Sequence, residues 1–372
     1  MLFHLLWDLH DRAPWLSWLN VVRYVTFRAA AGFVTALLLS MLLGPLFIRL
    51  LQRLQVGQTI RDDGPQSHLV KAGTPTMGGA LIVGALTLST LLWCDLRNGF
   101  VWAVLGITVG YAAIGFLDDF LKLTRGNSKG LPGKAKLAGQ LAIGAIAVLW
   151  LLRGDSFPAE LRLRLALPFL DFYRHPIALP LGLYAAFGLL VVVGSSNAVN
   201  LTDGLDGLAI GPVIIAASTF AVLAYASGTV LRDFNIAEYL RIPHIAGASE
   251  LVILCAAMAA ASIGFLWYNS YPASVFMGDV GSLGLGGGLG MMALATKSEA
   301  VWAIFGGVFV VEALSVMVQV VSFRLTGRRI FKMAPLHHHY ELHGWDEPKI
   351  VVRAWILSLL LAMVALATLK MR

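Results

Sequence analysis

Charged residues are scarce in ten long stretches of this chain, and that scarcity decides its architecture. The stretches lie near 29–50, 77–94, 100–121, 137–152, 181–200, 208–228, 249–268, 281–296, 301–323 and 351–369. A bilayer-spanning helix needs about 20 mostly apolar residues, with a range of roughly 17–25. Runs this long exceed the needs of soluble core helices. Overall the 372 residues are 58% hydrophobic and only 13% charged, where a soluble domain would carry about a quarter charged residues. Lipid leaves helices and closed barrels as the only spanning solutions. The expected fold is therefore an all-α polytopic membrane protein of about ten transmembrane helices, forming one domain over 1–372. The eighth run, short and glycine-rich, is the weakest of the ten.

The first 20 residues lack the basic start and small-residue cleavage site of a signal peptide, and Asp8, Asp11 and Arg12 interrupt them. With Trp7, Trp15 and Trp18 they read as an outward interfacial segment, since tryptophan favours the headgroup level. Cys94 and Cys255 fall within apolar runs and read as small buried hydrophobes, not a disulfide framework. The net charge of +7 suits a membrane surface and anionic substrates, but selects no function by itself.

Polar, chemistry-bearing residues gather in the loops after the odd-numbered runs, near 51–76, 122–136, 200–207, 269–281 and 324–350. An alternating chain returns to the same side after every second span, so these five loops share one face. Lys71, Lys122, Lys129, Lys134, Lys136, Lys332 and Lys349 lie on that side, against Lys297 and Lys370 opposite. The positive-inside rule makes the odd loops cytoplasmic and turns both termini outward. Arginines divide almost evenly and do not sharpen the assignment. The outward loops at 153–180 and 229–248 have room for short local structure.

Five aspartates stand at the cytoplasmic ends of the runs: Asp118, Asp119, Asp203, Asp206 and Asp279. An ionisable group inside a span costs about 2.5–3.5 kcal/mol at the helix centre on insertion scales, which makes it a functional candidate. Asp118 and Asp119 close the third run in FLDDFLK. Neighbours on a helix point about 100° apart, so one can face a cavity while the other braces it. A solvated helix end is the plainer alternative. In NAVNLTDGLDGLA, Asn197, Asn200, Asp203 and Asp206 recur every three residues, and Gly204 and Gly207 permit unwinding or close ligand approach. FMGDVGS sets Asp279 between glycines with Ser282 nearby. Magnesium takes one or two carboxylates plus substrate phosphates, and Asp279 is the cleanest candidate for that ligand. His337, His338 and His339 in APLHHHYE suit phosphate or substrate contact better than zinc, which lacks a partner cysteine here. Glu312 and Gln319 are polar groups within the ninth run, and Gln319 is close enough to the cytoplasmic end to line a cavity. The run GSLGLGGGLG at 281–290 reads as a close-packing helix face, with no lysine of a phosphate loop after it.

Together, GTPTMGG (73–79), FLDDFLK (116–122), NAVNLTDGLDGLA (197–209), FMGDVGS (276–282) and APLHHHYE (334–341) resemble the bacterial phospho-N-acetylmuramoyl-pentapeptide transferases of the polyprenyl-phosphate N-acetylhexosamine-1-phosphate transferase superfamily. The resemblance runs in order from about residue 49 to 350. It implies a Mg²⁺-dependent transfer of phospho-MurNAc-pentapeptide from UDP-MurNAc-pentapeptide to undecaprenyl phosphate at the bacterial inner membrane, giving lipid I and UMP, the first membrane step of peptidoglycan synthesis. It further implies Asp279 on Mg²⁺, Asp118 as base or covalent nucleophile, and Asp119 in support. Lys71, Thr76, Lys122, Asn200, Asp203, Asp206 and Gln319 would surround the nucleotide, and His337, His338 and His339 the phosphate or sugar. A homodimer is compatible with this reading, and no nucleic-acid polymer is expected. The competing readings are a related GlcNAc-1-phosphate transferase and, in another class, a carboxylate-based transporter. Transport predicts polar groups at the bilayer midplane and often an internal repeat; here they gather at one interface and no half repeats.

Overall fold

A computed structural model describes residues 1–12, 14–54, 73–125, 130–154 and 156–371. The helices run in the order α1 (Leu2–Arg12), α2 (Val25–Arg53), α3 (Gly79–Trp93), α4 (Gly99–Arg125), α5 (Gly133–Arg153), α6 (Leu181–Thr202), α7 (Ile210–Gly228), α8 (Ile236–Leu240), α9 (Leu251–Asn269), α10 (Gly278–Ala295), α11 (Glu299–Phe305), α12 (Gly307–Thr326), α13 (Leu336–Glu341) and α14 (Glu347–Ala367). Among the described residues, eight segments are long and apolar enough to cross a membrane: α2, α4, α5, α6, α7, α9 with its preceding turn, α12 and α14. The shorter α3 and the glycine-rich α10 complete the ten expected runs. The fold is an all-α polytopic bundle.

The weakest run in the sequence forms the centre of the bundle. Every residue of α10 from Val280 to Ala295 is buried, and a helix buried all round belongs to a core. Its main neighbours are α4 and α6. Small residues let helix backbones close up where lipid gives no hydrophobic drive for association. A Cβ on Gly115 of α4 would overlap the Asp279 carbonyl, so only glycine allows α4 to lie this close to the start of α10.

The ninth run is interrupted. α11 and α12 meet at Gly306, which is followed by Gly307, and paired glycines are a recognised site of helix breaks. Trp302 covers Gly306, and its indole N–H donates to Ser195 Oγ on α6 at 2.7 Å, which fixes α11. The three-residue stripe from Asn197 is also cut short. α6 ends at Thr202, so Asn197 and Asn200 are helical while Asp203 and Asp206 sit in a turn completed by Gly207 at φ +78°.

At the other end of the bundle, α1 and the 3₁₀ segment Pro14–Arg23 expose Leu5, Leu9, Trp15 and Trp18. Two two-residue hairpins, β1 (Arg164–Leu165) with β2 (Ile177–Ala178) and β3 (Val230–Leu231) with β4 (Phe234–Asn235), give the loops at 153–180 and 229–248 local structure. Arg241 and Asp171, 2.9 Å apart, join the two loops. Arg28 on α2 forms a buried bidentate pair with Glu250, at 2.7 and 2.5 Å. Cys94 and Cys255 are free and buried, as expected.

Candidate active site

The last turns of α4 and the first turn of α10 are built for each other. Asp119 Oδ2 accepts the backbone N–H of Asp279 at 2.9 Å and of Val280 at 3.4 Å. A carboxylate at a helix N-terminus satisfies orphan donors and complements the helix dipole. Gly278 turns the chain into α10 with φ +72°, and a Cβ there would come within 2.6 Å of Asp119 Oδ2. Two of the motifs are stitched together along the backbone. Phe276 N–H donates to Pro75, Gly78 N–H to Phe276 and Gly79 N–H to Met277, each at 2.8 Å. This pairing sets Thr76 against Gly278.

The result is a compact acidic cluster. Asp118, Asp119 and Asp279 each offer an oxygen within 4.8 Å of the others. Asp118 and Asp119 are only 2% and 3% exposed, which rules out a solvated helix end. Lys122 Nζ reaches all three carboxylates, at 2.5 Å from Asp118 and 3.3 Å from both Asp119 and Asp279. Lys136 Nζ from α5 lies 2.5 Å from Asp279 and 3.6 Å from Asp118. Asn200 Nδ2 donates to Asp279 Oδ1 and to Ser282 Oγ, each at 2.8 Å. Leu131 N–H donates to Asp118 Oδ1 at 2.8 Å. Three carboxylates thus face two ammoniums, in a pocket made from α4, α5, α6 and α10.

The Asp203–Asp206 turn adjoins this cluster. Burial, then repulsion from Asp279, Asp119 and Asp206, pushes the Asp203 carboxyl up to about 8, against a hydrogen bond from the Gly278 backbone. Asp206 Oδ2 accepts Ala273 N–H at 3.0 Å, and Asn269 Oδ1 accepts Gly207 N–H at 3.1 Å, so the turn is tied to the segment leading into α10.

The histidines reach the same turn by a different route. His337 is buried, and a Cβ on Gly204 would overlap its imidazole. Glu312 on α12 accepts Leu336 N–H at 2.7 Å and lies 3.2 Å from His337 Nδ1. An ionised carboxylate only accepts, so this contact places the proton on Nδ1 and turns Nε2 toward Gly204. His338 Nδ1 pairs with Glu341 at 2.6 Å, and His339 Nδ1 accepts Lys332 N–H at 3.0 Å. Gln319 binds backbone: its Oε1 accepts Ile330 and Phe331 N–H, and its Nε2 donates to the Phe331 carbonyl. It shapes the loop before the histidines. Lys71 and Lys129 lie outside the described residues.

Sequence reasoning left Lys136 as one of several basic loop residues and gave Glu312 no role. The only signal for Lys136 was its place near the start of a span, which several other lysines share. Glu312 is a buried acid in an apolar run, but its partner lies 25 residues on.

Similarity to known proteins covers the whole chain. The model of Glycosyl transferase family 4 matches residues 101–297, and Phospho-N-acetylmuramoyl-pentapeptide-transferase signature 1 matches residues 71–83. A phospho-N-acetylmuramoyl-pentapeptide-transferase of Sorangium cellulosum is 57% identical over 100% of both chains. One from Anaeromyxobacter sp. strain K is 53% identical over 100% of both. One from Granulibacter bethesdensis is 55% identical over 99% of this chain and 100% of its own.

Proposed function

Because this chain belongs to the phospho-N-acetylmuramoyl-pentapeptide-transferase family, we propose that it transfers phospho-MurNAc-pentapeptide from UDP-MurNAc-pentapeptide to undecaprenyl phosphate, yielding lipid I and UMP at the cytoplasmic face of the bacterial inner membrane. The observation that carries this reading is the meeting of Asp118, Asp119 and Asp279 with two lysines where several helices of a membrane bundle end. One reactant is water-soluble and the other a lipid, so their reaction needs a site open to both phases. Both reactants are anions, and their approach requires positive charge between them.

The donor set fits Mg²⁺. Three hard carboxylate oxygens lie within 4.8 Å of one another, and this ion is usually held by one or two carboxylates together with substrate phosphates. Asp279 would hold it, with Asp118 and Asp119 in reach. Bound there, Mg²⁺ supplies charge neutralisation on the diphosphate and its leaving group. The remaining roles belong to the chain itself. Lys122 and Lys136, already among the carboxylates, would move onto substrate phosphates as point charges. Asp119 is committed to the N–H groups of α10, so it serves as a positioning carboxylate. Asp118 has one oxygen on Leu131 N–H and the other toward Lys122 and Lys136. That second oxygen is the one available for chemistry, either to take the proton of the lipid phosphate, or to bond to the sugar-bearing phosphorus of the donor as its bond to UMP breaks, the lipid phosphate then displacing the carboxylate. Asn200 holds Asp279 in register. Thr76, Asp203 and Asp206 would border the nucleotide, and His337 would close the same wall.

The test is direct. Purified protein with Mg²⁺ and undecaprenyl phosphate is given UDP-MurNAc-pentapeptide or UDP-GlcNAc, and UMP is measured. Release with the muramoyl donor alone supports the proposal. Release with UDP-GlcNAc alone would move the chain to the related branch, and no release with either would refute the reading.

A further inference from the structure

Below the acidic cluster runs a second polar network that contacts none of the three carboxylates. Gln140 on α5 is fully buried. Its Nε2 donates to Ser196 Oγ at 3.1 Å, its Oε1 accepts Asn197 Nδ2 at 3.0 Å, and its main-chain carbonyl accepts the Tyr111 hydroxyl at 2.7 Å. Ser196 Oγ then donates to the Leu283 carbonyl at 2.9 Å. Four helices are joined: α4 through Tyr111, α5 through Gln140, α6 through Ser196 and Asn197, and α10 through Leu283.

Each member lies one to two helical turns from a residue of the site. Gln140 follows Lys136 by four, Asn200 follows Ser196 by four, Leu283 follows Asp279 by four, and Asp118 follows Tyr111 by seven. On a helix, residues four apart share a face. Apart from the ion pairs of Lys136 itself, the Leu131 N–H on Asp118 and the approach of Gly139 to Ile114, the start of α5 has little hold on the bundle interior. From Gly133 to Gly139 none of its residues is buried, and Gln140 is the first that is. Most of the remaining helix faces outward, with only Gly144, Val148, Leu151 and Leu152 buried. In lipid an outward-facing helix gains nothing hydrophobic by holding one rotation or one height over another, so interhelical hydrogen bonds and close packing set its register. Lys136 is therefore placed by whatever fixes Gln140.

We propose that Gln140 is a positioning residue for the transfer reaction, setting the rotation and height of α5 so that Lys136 meets Asp279 and Asp118. Both the donor and the acceptor of its amide are needed: one reaches Ser196 and through it α10, the other reaches Asn197 on α6. A leucine of similar size would fill the space and specify neither. The role in catalysis rests on the transferase reading above; the placement of α5 does not.

Two measurements test it. With activity, Gln140→Leu is expected to lower kcat by about 10- to 100-fold, the scale of an ångström-sized misplacement, while KM for the UDP-sugar stays near wild type. On a Lys136→Met background the same change costs nothing further, because Gln140 acts through that lysine. Ser196→Ala, a small truncation, should show the same dependence on Lys136 with a smaller loss, and it carries the test if Gln140→Leu does not fold. Losses that multiply with Lys136→Met, or unchanged kcat in a folded Gln140→Leu, overturn the proposal. Independently of activity, spin labels on Lys134→Cys and Ser270→Cys report the placement of α5, since both native cysteines are buried. A narrow distance distribution that broadens or shifts with Gln140→Leu supports the proposal. An unchanged distribution refutes it, whether or not the wild-type protein releases UMP.

Discussion

The two ends of this bundle handle buried charge in opposite ways. At the end distal to the acidic cluster, Arg28 and Glu250 form a closed pair. Glu250 takes two bonds from Arg28 and a third from Asp95 N–H, while Arg28 also donates to the Trp93 carbonyl and lies over the Phe3 ring at 4.1 Å. Charges match one to one. At the other end, Lys122 is shared among three carboxylates and Lys136 between two, leaving one negative charge in excess among the described residues. A matched pair is a brace. A cluster with a carboxylate in excess is a place for a further cation, and such imbalance is characteristic of functional sites.

The contrast can be broken by mutation. The largest effect should come from Asp118→Asn or Asp279→Asn, each lowering UMP release by about three orders of magnitude or more, on the scale seen when a reacting group is removed. Both variants should remain folded and membrane-inserted by size-exclusion and thermal unfolding. Glu250→Ala should do the reverse. It strands Arg28 in the interior, and breaking a buried pair costs about 3–5 kcal/mol. Its thermal midpoint should fall clearly, with kcat per folded molecule preserved; a stable but inactive Glu250→Ala would erase the distinction. Glu312→Gln should fall between them, since it keeps the fold but loosens the hold on Leu336 and His337. A moderate rise in KM for the UDP-sugar is expected, of about 10-fold if one hydrogen bond to a charged group is lost.

The last prediction concerns Asp203, where the change runs toward greater stability. Its carboxyl is raised from 3.8 to about 8 in the folded protein. The folded state therefore holds the proton after the unfolded state has lost it, and stability falls as pH rises between those values. Asp203→Asn removes this cost. Its gain in thermal midpoint over wild type should be small at pH 5 and largest above pH 8. A gain that is the same at both values would contradict the burial argument.

How much of this was legible beforehand follows from the range of the interactions. The ten helices were visible because hydrophobic length is a local property, and α10 was recognisable from its glycines once a close-packing role was considered. The aspartates of the site stood out because lipid makes a carboxylate costly. The break at Gly306 was missed, since GlyGly in an apolar run signals permission to bend without requiring it. The turn at Asp203 was half seen through Gly204 and Gly207. Which of the loop lysines joins Lys122 at the carboxylates, the role of Gln140 and the Glu312–His337 pair are not readable, because their meaning lies in partners on other helices. Gln140 left one faint trace: a lone amide within an apolar span, where a polar group is expected to find a partner.

The proposed chemistry requires Asp118 and Asp279, 161 positions apart, to work as one centre. The most direct measurement is UMP release by Asp118→Asn, Asp279→Asn and the double variant, all checked as folded. Residues acting as a unit are non-additive, so the double variant should be about as active as the weaker single variant. Losses that multiply would mean two independent sites and would contradict it.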